Sequence, residues 1–113
     1  FIRVAVTVAH GVQRDSEFLF DGNYDRRIMI GRGADCEISL SWESSVSRKH
    51  AMIWSNHEGE WELQDLGSRN GISHNGVITT RAVLREGDQI VCGATRITVQ
   101  SLRHYSQRQS PEL

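Results

Sequence analysis

The 113-residue chain has one proline, one lysine, two cysteines and no apolar run of 18 residues. Each scarcity excludes something. Without a long apolar run, no segment reads as a membrane-spanning helix. The first residues alternate in polarity and carry Arg3, so they lack the unbroken apolar stretch of a signal peptide. Cys36 and Cys92 are too few for a disulfide framework and lie outside any C-x-x-C pair. Free buried thiols in a reducing, intracellular compartment are the expected state, with a single bridge as the alternative. His10, His50, His57, His74 and His104 show no metal-ligand spacing with one another or with the cysteines, so neither a metal nor a cofactor is expected. No G-x-S-x-G marks a hydrolase nucleophile turn, and no G-K-[ST] marks a nucleotide phosphate loop. Gly31-Arg32-Gly33 begins a G-x-G-x-x-G, but Cys36 stands at its third glycine position. A formal net charge of -1 and the lack of a basic run argue against direct nucleic-acid binding.

What is present is short and periodic. Residues 2–8 place Ile2, Val4, Val6 and Val8 on one face at period two, the pattern of a half-buried strand. Similar runs recur at 17–20, 27–30, 37–40, 50–54, 61–65, 72–74, 77–78, 83–84, 89–92 and 96–100, separated by turn signals. Asn75-Gly76 between two such runs predicts a two-residue hairpin with positive φ at both central positions. Residues 34–58 lack Gly and Pro but are interrupted by serines at 41, 44, 45 and 47, which reads as strand, loop, strand. Evenly spaced short strands with no sustained helical stripe predict an all-β sandwich or barrel. Trp54 and Trp61 fall on adjacent strands and are expected to pair across them. Trp42, in the serine-rich loop, is a candidate for lining a groove. At this length one domain is expected, over residues 1–102, burying about two-thirds of its unfolded surface. Residues 103–113, which hold the one proline, read as a polar tail or linker. The absence of an initial Met suggests a segment of a longer protein.

Three turn segments carry the chemistry. They are Gly31-Arg32, Ser47-Arg48-Lys49-His50 and Leu66-Gly67-Ser68-Arg69-Asn70-Gly71. Loops at one end of a β-sandwich suit phosphate binding, since a phosphate needs charge-assisted donors converging from fixed positions. Twelve of the thirteen cationic residues are Arg, whose planar, permanently charged guanidinium suits bidentate oxyanion contact. Each residue also has a plainer reading. Arg32 alone fits an exposed salt bridge to Asp35 or Glu37, Ser47 a self-bonded turn serine, and Asn70-Gly71 an ordinary turn. Arg48 and Arg69 fit solvated cations. His50, three residues after Ser47, invites a hydrolase reading that lacks both the nucleophile turn and an orienting acid.

In the order G-R, S-x-x-H, S-x-N-G, these segments resemble the forkhead-associated (FHA) domain, a phosphothreonine-binding module, over about residues 28–99. The resemblance implies a two-sheet sandwich of about eleven short, mostly antiparallel strands, with binding loops at one end and the chain ends at the other. It implies that Arg32, Ser47 and Arg48 bind the phosphate, and that Arg69 and Asn70 hold the peptide. It gives Gly31, His50 and Gly71 structural roles, His50 orienting the loop that bears Ser47. Arg69 stands where Thr is common, and Ile72 where Thr or Ser is usual, a departure expected to affect packing behind the loop. A preference for phosphothreonine over phosphoserine would rest on a small recess between residues 45–47 and 68–70, with Val46 its aliphatic wall. The implied function is non-catalytic recognition of phosphothreonine-containing protein segments in Ser/Thr kinase signalling, by a monomeric domain. A phospho-independent scaffold on the same fold is the alternative.

Overall fold

Strict alternation of apolar and polar residues builds two sheets that share one core. The computed structural model describes residues 1–8, 16–21, 26–56 and 58–103. Among them are eleven strands and no helix, hence no helix long and apolar enough to cross a membrane. In spatial order the first sheet contains β2 (Ser16–Phe20), β1 (Ile2–Val8), β11 (Thr95–Leu102), β10 (Gln89–Cys92), β7 (Ile72–His74) and β8 (Val77–Thr79). The second contains β4 (Ile38–Ser39), β3 (Arg27–Gly31), β5 (Ala51–Ser55), β6 (Trp61–Asp65) and β9 (Arg81–Val83). Every pairing is antiparallel except β3 with β4.

Ile2, Val4 and Val6 of β1 point inward with Ile97 and Val99 of β11, and meet Ile28, Ile30, Ile53 and Leu63 of the second sheet in one buried cluster. Each such side chain, fully buried, contributes about 1.5–3 kcal/mol. The sandwich is therefore held by its two inner faces.

Most predicted strands lie where the alternation places them, and three details differ. A bulge between Arg3 and Val4 in the pairing of β1 with β11 leaves Gln100 unpaired, so Leu102 rather than Ser101 stands opposite Ile2. That extra residue breaks the period-two pattern, and β11 runs on to Leu102. Trp54 and Trp61 do not pair: Ser55 faces Trp61 and Glu62 faces Trp54, a one-residue offset that puts the two rings on opposite faces. Trp61 is buried, whereas Trp54 lies under the Arg27 guanidinium, 5.9 Å from the ring centroid. Finally, the strand predicted at 83–84 is β9, three residues ending at Val83, with Leu84 buried beyond it.

Two polar knots tie the strands laterally. The β7–β8 hairpin turns through Asn75 (φ 52°) and Gly76 (φ 86°), as Asn-Gly predicts. Asp88 accepts hydrogen bonds from His74 Nε2 (2.7 Å), Asn75 Nδ2 (3.1 Å) and the Arg85 amide (2.9 Å). Burial raises the Asp88 carboxyl, but those donors outweigh it and hold its pKa below the usual value. In the second knot Glu62 accepts from Arg81 Nε (2.8 Å) and from Asn56 Nδ2. Its pKa is lowered, chiefly by the Arg81 hydrogen bond, against the opposing effect of burial.

The far end of β1 and β11 closes on itself, since the Arg103 amide donates to Phe1 O at 2.8 Å and the Phe1 amine donates to Arg103 O at 3.2 Å. Of the tail predicted at 103–113, Arg103 thus pairs with Phe1, and residues from 104 onward lie outside the described residues, as do His10, His57 and His104.

Candidate ligand-binding apex

Close approach of two backbones creates the site. At the end of β3 a Cβ on Gly31 would stand 2.0 Å from Arg48 O and 3.0 Å from Ser47 O. Only glycine lets the strand pass this near, so Gly31 is explained by contact rather than by turn geometry. The approach is stapled by Arg32 N to Ser47 O (2.9 Å) and Gly33 N to Arg48 O (3.1 Å). Arg32 and Ser47, fifteen residues apart in the chain, thereby become neighbours.

His50 fixes the second loop to the third. Its ring is fully buried, Nδ1 accepts from the Ser47 amide (3.0 Å), and Nε2 lies 2.7 Å from Gly71 O. A ring nitrogen that accepts an N–H carries no proton, so Nε2 bears the hydrogen and donates it to Gly71 O. Both nitrogens are occupied by backbone, and neither is directed to the Ser47 hydroxyl. The Ser-x-x-His spacing thus has a structural cause.

The third loop is shaped from within. Ser68 Oγ donates to Asp65 and accepts from the Gly71 amide (2.9 Å), and Gly71 takes a φ of 74°. Arg69 N then donates to Ser47 Oγ at 3.0 Å, and Asn70 Nδ2 to Ser45 O at 2.7 Å. Ser47 Oγ thus accepts a hydrogen bond from the Arg69 amide, and among the described residues its own O–H has no acceptor. Arg32 is exposed, and its Nε donates to Val46 O at 3.0 Å. That bond aims the guanidinium, and among the described residues its terminal nitrogens have no partner and it forms no ion pair with Asp35 or Glu37. Glu37 is committed elsewhere, accepting the Met29 amide at 2.8 Å.

These residues enclose a cleft of about 150 Å³ lined by Arg32, Ser45, Ser47, Arg48, Arg69 and Asn70 among others. Three arginines line it, and no Asp or Glu does. All five residues predicted to touch ligand are therefore together, and the three structural residues stand behind them. Two expectations fail. Val46 borders the cleft, but its side chain is 1% exposed and packs in the core, so it offers backbone rather than an aliphatic wall. Trp42 is half-exposed and is not among the residues lining this cleft.

The sequence reading missed the supports. Glu43 Oε1 accepts from Ser45 Oγ (3.0 Å), and a Cβ on Gly93, in the turn between β10 and β11, would lie 2.3 Å from that same Ser45 Oγ. The apex thus rests on a turn from the other sheet. A Gly before a β-branched run was the only signal, and it reads simply as a hairpin. The cysteines are free and buried. Burial, aided by Asp65, pushes the Cys92 thiol up to about 12, and burial with Asp35 raises Cys36. Both shifts favour the protonated thiol over the thiolate nucleophile.

Comparison with known proteins bears on this arrangement. The family model for the FHA domain matches residues 28–93. The oxoglutarate dehydrogenase inhibitor of Corynebacterium efficiens is 35% identical over 92 residues, 81% of this chain and 61% of that protein. The chain therefore spans less than two-thirds of that relative's length. Among solved structures, the FhaA FHA domain complexed with the intracellular domain of Rv3910 is similar with a TM-score of 0.66 at 31% identity, covering 85% of this chain and 98% of that one. An FHA domain from an analysis of phosphothreonine-dependent FHA domain interactions is similar with a TM-score of 0.69 at 28% identity, over 89% of this chain and 98% of that one.

Proposed function

This chain belongs to the FHA domain family, and from that premise we propose that its apex binds phosphothreonine-containing protein segments produced by a Ser/Thr kinase. One observation carries the assignment to these residues. A guanidinium aimed by Val46 O stands on the same cleft as a serine hydroxyl whose oxygen already accepts from the Arg69 amide. Among the described residues neither the terminal guanidinium nitrogens nor the serine O–H has an acceptor, and a phosphate dianion supplies them.

In this reading Arg32, Ser47 and Arg48 hold the phosphate. Arg69 borders the peptide, and Asn70 keeps its Oδ1 and one N–H for the peptide backbone, the other N–H being spent on Ser45. The binding unit is residues 1–102, acting within a longer intracellular protein as a monomeric, non-catalytic reader that needs no cofactor. The engagement of both His50 nitrogens by backbone supports the non-catalytic part, because that ring is not available to Ser47 as a base. The relative's name as an inhibitor supports a regulatory setting.

The test is calorimetric titration of matched peptides. The phosphothreonine form is expected to bind at micromolar affinity and the unphosphorylated form not measurably, because each charge-assisted hydrogen bond contributes about 1.5–3 kcal/mol. Identical curves would instead favour a phospho-independent scaffold.

A further inference from the structure

Arg32 and Arg48 are walls of two clefts, not one. On their other side lies a second cleft of about 490 Å³, lined also by Asp35, Ser41 and Lys49. Its size is within the range of built ligand sites. Asn70 and Arg69 line only the smaller cleft and Lys49 only the larger, so the two ends of the surface are chemically different. Three cations face the larger cleft against one carboxylate, and among the described residues the side chains of Arg48 and Lys49 have no hydrogen-bond or ion-pair partner. Lys49 is the only lysine of the chain.

We infer that the larger cleft is a subsite for a second anionic side chain of the same peptide, on the flank of the phosphothreonine that points away from Asn70. The inference rests on the phosphothreonine reading above. An extended peptide advances about 3.3–3.6 Å per residue, so residues within about four positions of the phosphothreonine can reach a cleft that shares Arg32 and Arg48 with the first. Its donors are the Lys49 ammonium and the guanidinium groups of Arg32 and Arg48, which it shares with the smaller cleft. They accept Asp or Glu as single carboxylates, and a second phosphorylated residue as a dianion. Asp35 opposes both and sets an upper limit on the gain. Arg48, shared between the clefts, lets one anion orient the group that the other uses.

The experiment is titration of the domain with phosphothreonine peptides of otherwise neutral sequence. A single Asp, Glu or second phosphorylated residue is stepped through four positions on each flank. A carboxylate is expected to raise affinity about threefold and a phosphate about tenfold, on one flank only, with the gain shrinking as salt is added. Lys49→Ala should erase most of that gain while leaving the neutral-flank phosphopeptide unchanged, and Asp35→Asn should enlarge it. Equal gains on both flanks, or a gain untouched by Lys49→Ala, would overturn the inference and leave only general charge attraction. Phosphate-dependent binding with no flank effect overturns the inference alone. Indifference to the phosphothreonine itself overturns the underlying reading and this inference with it.

Discussion

The apex and the two polar knots contain the same kinds of residue arranged to opposite ends. In the knots, Asp88 and Glu62 are 8% and 7% exposed, and their hydrogen-bonding capacity is met by His74, Asn75, Arg81 and Asn56. At the apex the backbone is equally well paired, yet Arg32, Arg48 and Ser47 keep donors directed at solvent. A satisfied network stabilises the fold, and an unsatisfied one, held by a satisfied backbone, is ready for a ligand. His50 marks the border, since it is buried and paired like the knots but sits directly beneath the apex.

The comparison breaks most severely at His50. His50→Ala strands the Ser47 amide and Gly71 carbonyl in the interior. With the cavity added, it should cost about 3–5 kcal/mol of stability, read as a large drop in the denaturant midpoint. Unchanged melting with normal binding would place His50 outside the frame. Arg32→Ala is the converse, expected to weaken phosphopeptide affinity by a hundredfold or more, through the loss of about 3 kcal/mol of charge-assisted bonding. Melting should shift by only a few degrees, and an unfolded variant would refute the assignment of Arg32 to ligand rather than fold.

Acidity separates the two regions next. Asp88 and Glu62 have lowered pKa values in the folded protein. Their stabilisation is therefore fully present above the unfolded carboxyl values, near pH 4, and is lost as pH falls through the folded ones. Denaturant unfolding should show a carboxylate-dependent decline in stability below about pH 4, with Asp88→Asn reducing that slope. Binding should weaken sooner, by about tenfold between pH 7 and 5, because the second phosphate ionisation lies near 6 while Arg32 stays charged. If affinity is flat across that interval, the dianion is not what the apex reads.

The smallest effect concerns one methyl group. With the Val46 side chain turned into the core, the recess beside the cleft has only backbone and polar walls. Phosphothreonine should therefore exceed phosphoserine by no more than about 0.8 kcal/mol, roughly fourfold, in matched titrations. A larger ratio would reveal an apolar surface formed only when ligand is bound.

How much of this was legible follows from the length scale of each interaction. Alternation at Ile2, Val4 and Val6 reports a buried face directly, and Asn75-Gly76 reports its own turn, because both depend on neighbours in the chain. The bulge at Gln100 and the one-residue offset of Trp54 from Trp61 depend on the partner strand, which no local pattern contains. At the apex the motif order, through family resemblance, pointed to Arg32, Ser47 and Asn70, which the fold brings to one cleft. The contact of Gly93 with Ser45 joins two sheets across 48 positions of sequence, and no spacing rule points to it. Val46 misled for a related reason: a residue between two cleft residues in the chain alternates to the other side in space.

The imidazole of His50 has a consequence for observation. One ring is shared by the loop of Ser47 and the loop of Gly71, so its two nitrogen-15 resonances sense both loops at once. The protonated nitrogen reports the distance to Gly71, and the bare one the distance to Ser47. The Ser47 amide proton, donated to a fully buried acceptor, should exchange with deuterium only when the apex opens. Occupancy of the cleft can then be followed from a group beneath it that no ligand touches, without a label on the ligand.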